Sequence, residues 1–508
     1  MPRESTSLPF GGFVLDRESP VPLYQQLYEQ IRAGIESGQL QPGLRLPATR
    51  ALAQELQVSR NTVLVAYEQL VTERFANSQV GSGTRVAARS HRVAAVGPRT
   101  VTRLPVPPVM ARPVPRLSRA THGMLRAARA YGVRHQTASP VAQPFVLGVP
   151  ALDLFPTGLW SRVLSRRAAR LGSAELTHQD PAGYWPLRKE LAAYLGLARG
   201  VKCTAEQVLI ASSTQVLTNL LARILLEPGE QALVEDPGYP GIRTALSVAG
   251  VTPCPVDVDH EGLCIALGEK RHPGARLAVV TPNNQFPLGV RMSSSRRGQL
   301  LDWAGRVNGW LIEDDYDGEF WSDTPSPPLQ QMDEADHVVY VGTLSKALFP
   351  ALRMAYAVVP PDLVDPVTAA QRVTTGALPV LEQAAVLDFI REDHFARHIR
   401  RMRQAYIERR EGCVAALRGR LGGLVRLTGA SAGMHLVATL PTGTDDSRVA
   451  ALCNESRTTV YPLSSYYSET GAPVPGLVLG YGATPPAQAA LGARHIAAAV
   501  GRATRIAV

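Results

Sequence analysis

From about Phe145 onward, apolar runs of β character (Val208 to Ala211, Gln231 to Val234, Arg276 to Val280, Gly309 to Ile312 and Val338 to Val341) alternate with amphipathic stretches of helix length. Such alternation predicts an α/β domain around a mainly parallel sheet. In sheets of that kind ligands gather where strands end, so the residues directly after each run carry most of the functional information. At 508 residues the chain is too long for one core and should hold about two or three domains. It has no run of about 18 apolar residues, and Met1-Pro-Arg-Glu-Ser-Thr at its start has no apolar segment of signal-peptide type, so a soluble, cytoplasmic protein is expected.

One lysine stands out at such a strand end. The chain has only four lysines, and Lys189, Lys202 and Lys270 sit among charged or loop residues. Lys346 instead follows the run Val338 to Val341 and the turn Gly342-Thr-Leu-Ser345. That setting desolvates the amine and lowers its pKa, as a Schiff-base lysine requires. Arg353 is near enough in sequence for both side chains to reach one small anion, and Thr343 and Ser345 add hydroxyls for a phosphate. Taken alone, the stretch equally fits a strand-end lysine that snorkels to solvent.

Three further strand ends bear on that choice. Ala211-Ser-Ser-Thr-Gln215 leads into a helix expected over Val216 to Leu226, so that N–H groups at the helix start and the Ser213 and Thr214 hydroxyls form a phosphate cup. Glu235-Asp-Pro-Gly-Tyr-Pro240 is a turn presenting Tyr239 as a flat aromatic face. Leu311-Ile-Glu-Asp-Asp-Tyr-Asp317 gathers carboxylates and a phenol at a strand end, where mutual repulsion calls for a cation or a protonated ring nearby; a magnesium site is the rival reading. Phosphate cup, aromatic face, ring-nitrogen carboxylate, phenol and a lysine backed by an arginine are together the needs of pyridoxal 5′-phosphate (PLP).

In order and spacing these motifs resemble the fold-type I PLP-dependent aminotransferases, over residues 145 to about 500. Asp180-Pro-Ala-Gly-Tyr184 with Leu187-Arg188, and Thr281-Pro-Asn-Asn-Gln-Phe-Pro-Leu-Gly289, match as well. The resemblance implies Lys346 as the Schiff-base residue, Asp314 on the pyridine nitrogen and Tyr316 on the ring hydroxyl, with Asn284 and Ser345 also at the cofactor. It implies Tyr239 stacked on the ring, and Ser213, Thr214, Thr343 and Arg353 around the phosphate. Asp315 is the alternative to Asp314, because the Asp-to-Tyr spacing is shorter here than in many aminotransferases.

The amino-terminal part reads differently. Pro22 opens a helix with Leu23, Leu27, Ile31 and Ile35 on one stripe and Gly38 as its stop. After the turn Pro42-Gly-Leu-Arg-Leu-Pro47, Thr49 is expected to cap a short helix ending near Leu56, and Val58-Ser59 opens a third with Val63, Tyr67 and Leu70 inward. Two short helices joined by a tight turn make a helix-turn-helix, with Ser59, Arg60, Asn61 and Thr62 on the exposed first turn that meets base edges and phosphates. Ser78 to Val86, with Gly81-Ser-Gly83 at its centre, fits a β-hairpin. From about Pro22 to Ala87 this resembles the GntR-type winged helix-turn-helix, which implies DNA contacts by Arg50, Ser59, Arg60, Asn61, Thr62 and Gly81, with Arg45 a further candidate. Arg74-Phe75 stands where that family usually has Gly-Tyr. A three-helix interaction domain that binds no DNA is the alternative.

The formal net charge of +10 is local: residues 88 to 140 hold ten Arg and no acidic residue, interleaved with Pro105, Pro107, Pro108, Pro113 and Pro115. An extended basic linker beside a polyanion-binding domain explains this, as does a merely solvated linker. The expected organisation is therefore 1–87 winged helix, 88–140 linker and 141–508 PLP-binding domain. This is the architecture of the MocR regulators, the GabR/PdxR-like branch of the GntR family. The resemblance implies a head-to-tail homodimer that reads paired DNA half-sites and senses PLP or a small amine, with vitamin B6 or amino-compound metabolism under its control. An active aminotransferase with an accessory DNA-binding domain is the alternative.

Other features are set aside. Gly429-Ala-Ser-Ala-Gly433 matches a hydrolase nucleophile elbow but precedes a strand-like stretch, Met434 to Leu440, where a helix is needed. His394 and His398 are four apart, yet Glu392, Arg397 and Arg400 around them suggest a solvated helix face, so no metal site is expected. The five scattered cysteines suggest buried thiols. Finally, aminotransferases acting on α-amino acids usually clamp the substrate carboxylate with an arginine near a strand such as Gly476 to Tyr481, but no Arg or Lys occurs between Thr458 and Gly492. Weak or absent transamination is the expectation.

Overall fold

The computed structural model describes residues 13, 15–79, 83–87, 118, 121, 124, 125, 143–321, 326–429, 433–468 and 473–504. The chain divides into two compact units, Met1–Pro113 and Val114–Val508. Most of the Arg/Pro-rich stretch, and Gly81 at the expected wing tip, lie outside the described residues. Among the described residues no helix is long and apolar enough to cross a membrane.

In the first unit, α1 (Leu23–Glu36) buries Leu27, Tyr28, Ile31 and Ile35. α2 (Thr49–Glu55) begins at Thr49 with Ala48 in the cap position, so Thr49 is the first helical residue and not the cap that was expected. Its hydroxyl accepts from Arg60 Nε at 3.3 Å instead. α3 (Arg60–Thr72) is capped by Ser59, whose Oγ accepts the Thr62 N–H at 3.0 Å. Its buried residues, Val63, Ala66, Tyr67 and Leu70, recur at helical spacing. β1 (Ala76–Gln79) and β2 (Gly83–Val86) pair antiparallel, Ala76 with Val86. Between α3 and β1, Arg74 takes φ +62°. That explains the glycine usual at this position: a residue with a Cβ adopts the left-handed conformation at a cost of about 1–2 kcal/mol.

The second unit is built on an eight-stranded sheet. Its order is β3 (Val208–Ala211), β10 (Ala355–Val358), β9 (Val338–Thr343), β8 (Trp310–Asp315), β7 (Ala275–Val280), β4 (Gln231–Asp236), β5 (Thr252–Asp259), β6 (Gly262–Leu263). The five strands from β9 to β5 run parallel, while β10 is antiparallel to both β3 and β9. Because β3 and β9 both oppose β10, β3 ends at the same edge as the parallel strands, and β10 begins there. β3 and β9 are buried along their whole length, as helices on both faces of a parallel sheet require. A smaller antiparallel sheet follows, in the order β11 (Arg426–Thr428), β12 (His435–Thr439), β14 (Gly476–Gly480), β13 (Tyr461–Pro462).

Several elements differ from expectation in ways that shape the site. The helix after β3 spans Thr214–Leu225, starting before Val216, so Thr214 belongs to its first turn. β8 continues through Asp315, so the carboxylates lie within the strand and not after it. Successive strand residues face opposite ways, which separates Asp314 from Glu313 and Asp315. His398 corrects the solvated-face reading. In the helix His394–Leu421 it falls on the core stripe with Phe395 and Met402, is 5% exposed, and its Nε2 lies 3.0 Å from the Ala347 carbonyl oxygen. After Gly433 the chain enters strand His435–Thr439, as expected, and not a helix; residues 430–432 of the Gly-Ala-Ser-Ala-Gly motif lie outside the described residues.

Candidate PLP and DNA sites

A cavity of about 240 Å³ opens among the segments that follow β3, β4, β7, β8 and β9. Ser213, Thr214, Tyr239, Asp314, Tyr316, Thr343, Ser345, Lys346 and Arg353, scattered over 140 positions of sequence, all line it. Asn284 does not; it acts on the wall from behind.

The turn carrying the lysine is held by Thr343, whose Oγ1 accepts the Ser345 N–H at 3.1 Å and donates to the Met354 carbonyl at 3.3 Å. Lys346 then sits on a one-turn helix, Leu344–Ala347. Its Nζ donates to the Gly148 carbonyl at 2.7 Å, across 198 positions of sequence. Burial lowers its pKa to about 8, against the upward pull of Asp317 and Asp314. Gly148 has φ +70°, and a Cβ there would overlap Nζ. No local sequence signal marks this glycine, since only folding brings it to the lysine.

Of the two central aspartates, Asp314 is on the cavity and its Oδ1 is buried with no partner among the described residues. Burial, and then the nearby charges of Asp315 and Glu235, raise its pKa to about 7. Asp315 is engaged on the other face: it pairs with Arg199, accepts from Tyr340 Oη at 2.5 Å and from Asn283 Nδ2 at 3.2 Å. Glu313 points that way too, accepting the N–H groups of Leu329 and Gln330 at 3.1 Å. The acids of β8 therefore do not converge on one point, as a magnesium site would need. Tyr316 Oη donates to the Asn284 carbonyl at 2.9 Å and accepts from Asn284 Nδ2 at 3.1 Å. Burial and the adjacent Asp317 hold its phenol well above the ordinary value, so it stays protonated.

On the cavity wall, Ser213 caps the helix Thr214–Leu225 by accepting the Val216 N–H at 3.2 Å. Arg353 reaches the cavity from the residues preceding β10, in a left-handed conformation at φ +50°. Its guanidinium has no hydrogen bond or ion pair with a described residue. The lining also includes residues to which the sequence assigned no role: Phe286, Met434, His435, Tyr461 and Tyr466. They come from the loop after β7, from the start of β12, from β13 and from the 3-10 turn Leu463–Tyr466, whose meeting only the tertiary fold creates.

In the first unit, Arg45, Arg50, Ser59, Arg60 and Asn61 are exposed and Thr62 is half-buried, its Oγ1 2.8 Å from Ser59 Oγ. Arg45 bridges to β2 and lays its guanidinium against Gly83. Arg85, missed in the sequence, is exposed on the same strand and donates to the Gly43 carbonyl at 3.0 Å.

Residues 160–473 match the family of class I and II aminotransferases, and residues 23–86 match the gntR family of bacterial regulatory proteins. The probable rhizopine catabolism regulatory protein MocR of Rhizobium meliloti is 37% identical over 483 residues, covering 93% of this chain and 92% of the relative. The chain belongs to the MocR-type regulators of the GntR family. This regulator is also 28% identical over 473 residues to PdxR, the pyridoxine biosynthesis transcriptional regulator of Corynebacterium glutamicum, covering 92% of this chain and 94% of PdxR. Its second unit shares its fold with LysN, the α-aminoadipate aminotransferase of Thermus thermophilus, at a TM-score of 0.66 and 24% identity over 76% of this chain and 96% of LysN. The regulator thus couples a DNA-binding winged helix to an aminotransferase-like domain.

Proposed function

We propose that this regulator binds PLP in the cavity and uses its occupancy, alone or with an amine, to tune binding of the winged helix to DNA. The observation that carries the reading is that Asp314 Oδ1 and Arg353, which share a cavity with Lys346, have no partner among the described residues. A buried carboxylate without a partner is costly unless a donor arrives, and a pyridine N–H is such a donor. Ser213, Thr214, Ser345 and Arg353 offer hydroxyls and one cation to a phosphate, Tyr239 offers a ring face, and Tyr316 a phenol oriented by Asn284. Thr343 supports the turn that places Lys346. The chemistry the cofactor supplies when bound is reversible condensation of its aldehyde with a primary amine. Lys346, depressed to about 8, has an appreciable neutral fraction for it at physiological pH.

The exposed first turn of α3 enters the major groove in this reading, with Arg45 and Arg85 on the wing side meeting phosphates. A head-to-tail homodimer in the cytoplasm fits the MocR-type resemblance, and sedimentation of the full chain tests it. The deciding experiment is binding of the apo protein to DNA upstream of its own gene at fixed salt, with and without PLP, beside Lys346→Ala. A PLP-dependent change in affinity or footprint that Lys346→Ala abolishes supports the sensor. Tight binding indifferent to PLP leaves the cofactor prosthetic and turns the reading toward a working transaminase.

A further inference from the structure

We infer that the ligand read beside PLP is a primary amine without a carboxylate, carrying an apolar or aromatic body. This deepens, and rests on, the PLP reading above.

The cavity lining is of two chemical kinds. Lys346, Arg353, Ser213 and Ser345 are polar, while Phe286, Met434, His435, Tyr461 and Tyr466 make a largely aromatic wall. Phe286 is the hub of that wall. Its ring centroid lies 5.1 Å from His435, 5.3 Å from Tyr466, 5.8 Å from Tyr239 and 6.1 Å from Tyr316. Such a box accepts an aromatic or alkyl body, and its ring faces tolerate an ammonium.

Among the described residues that wall carries no charged cation to neutralise a carboxylate. His435 is the basic side chain of that wall, and its Nε2 is taken by the Pro287 carbonyl at 3.0 Å. Burial lowers its pKa to about 4, so the ring is neutral at pH 7. Two arginines behind this wall, Arg409 and Arg243, are engaged elsewhere. Arg409 donates to the Gly482 carbonyl at 2.5 Å and to Asp153 at 2.6 Å, and Arg243 donates to the Tyr466 carbonyl at 2.8 Å and lies 3.6 Å from Asp236. The place where an α-carboxylate clamp would stand, just after β14, holds Tyr481, whose hydroxyl donates to the Gly433 carbonyl at 2.8 Å. The two undescribed loops nearest in sequence to this wall, residues 430–432 and 469–472, include no Arg or Lys. Meanwhile two of the protein's own carboxylates, Asp314 and Asp317, already line the cavity. A ligand carboxylate against the aromatic wall would be desolvated without a partner among the described residues, and that is a large penalty.

The test is calorimetric titration of the PLP-loaded full-length protein with three matched pairs differing only in the α-carboxylate: 2-phenylethylamine and L-phenylalanine, benzylamine and L-phenylglycine, tyramine and L-tyrosine. The expected result is that the amine binds more tightly in each pair that binds at all, by about tenfold or more. An amino acid binding as tightly as its amine overturns the inference, and so does the failure of all three amines to bind. Visible absorption of the loaded protein, lost in Lys346→Ala, reports separately on whether PLP is bound at all. A failure of the underlying reading is thereby distinguished from a failure of the ligand class.

Discussion

Adjacent aspartates on β8 have opposite fates. Asp315 neutralises the buried Arg199, so Asp315→Asn strands a guanidinium in the interior. Breaking a buried pair of that kind costs about 3–5 kcal/mol, readable as a lower urea midpoint. Asp314→Asn removes a buried carboxyl whose Oδ1 has no partner among the described residues, and should leave the urea midpoint nearly unchanged. Its effect should be on PLP, whose dissociation constant rises by the value of a charge-assisted hydrogen bond, about 1.5–3 kcal/mol. Equal loss of PLP affinity in both variants, after correction for unfolding, would put the ring-nitrogen role of Asp314 in question. Lys346 gives a pH signature of the same site. Because its folded pKa is lowered to about 8, the neutral amine becomes dominant as pH rises through that value. The initial rate of PLP capture, followed by visible absorption, should therefore climb between pH 7 and 9.

At the scale of the element, two short turns set two functions. The Ser59 cap holds the first turn of α3, where Arg60 and Asn61 are displayed. Ser59→Ala should cost about 1 kcal/mol of stability in the first unit, with a loss of DNA affinity at every salt concentration. Unchanged DNA binding would mean that this turn is not the reading surface. The second turn is the segment at Gly148, which faces Lys346 with its carbonyl and a left-handed backbone. Gly148→Ala introduces both backbone strain and an overlap with Nζ. PLP binding should fall well beyond the accompanying loss in melting temperature, and equal effects on both would show a purely structural glycine.

For the molecule as a whole, the second unit encloses an unusual group of acids. Glu235, Glu313, Asp314 and Glu319 are each raised to about 7, chiefly by burial. A carboxyl whose pKa is raised on folding retains its proton in the native state, so the stability it contributes is present in acid and is lost as pH rises through about 7. Lys346 works the other way, but only above about 8, where the unfolded chain binds more protons than the native one. The melting temperature of the apo protein should therefore fall from pH 5.5 to 7.5, and PLP should offset part of that fall by giving Asp314 a donor. A flat profile over that range would show that these acids ionise normally.

Much of this was legible from residues in order. The 3.6-residue stripe of α1, the Ser-Arg-Asn-Thr turn of α3 and the alternation of apolar runs with helices depend on local periodicity, so they identified both units and the parallel character of the sheet. The strand-end motifs did the same for most of the cavity wall, because parallel strands deliver their ends to one edge. Boundaries and facing did not follow. The extension of β8 through Asp315, which separates Asp314 from its neighbours, depends on pairing with β9, and the burial of His398 depends on which stripe of a long helix meets the core. Gly148 beneath Lys346 and the aromatic wall around Phe286 were likewise decided only by the tertiary structure. They are contacts between segments tens to hundreds of residues apart, and no local pattern in a chain records which distant surface it will meet.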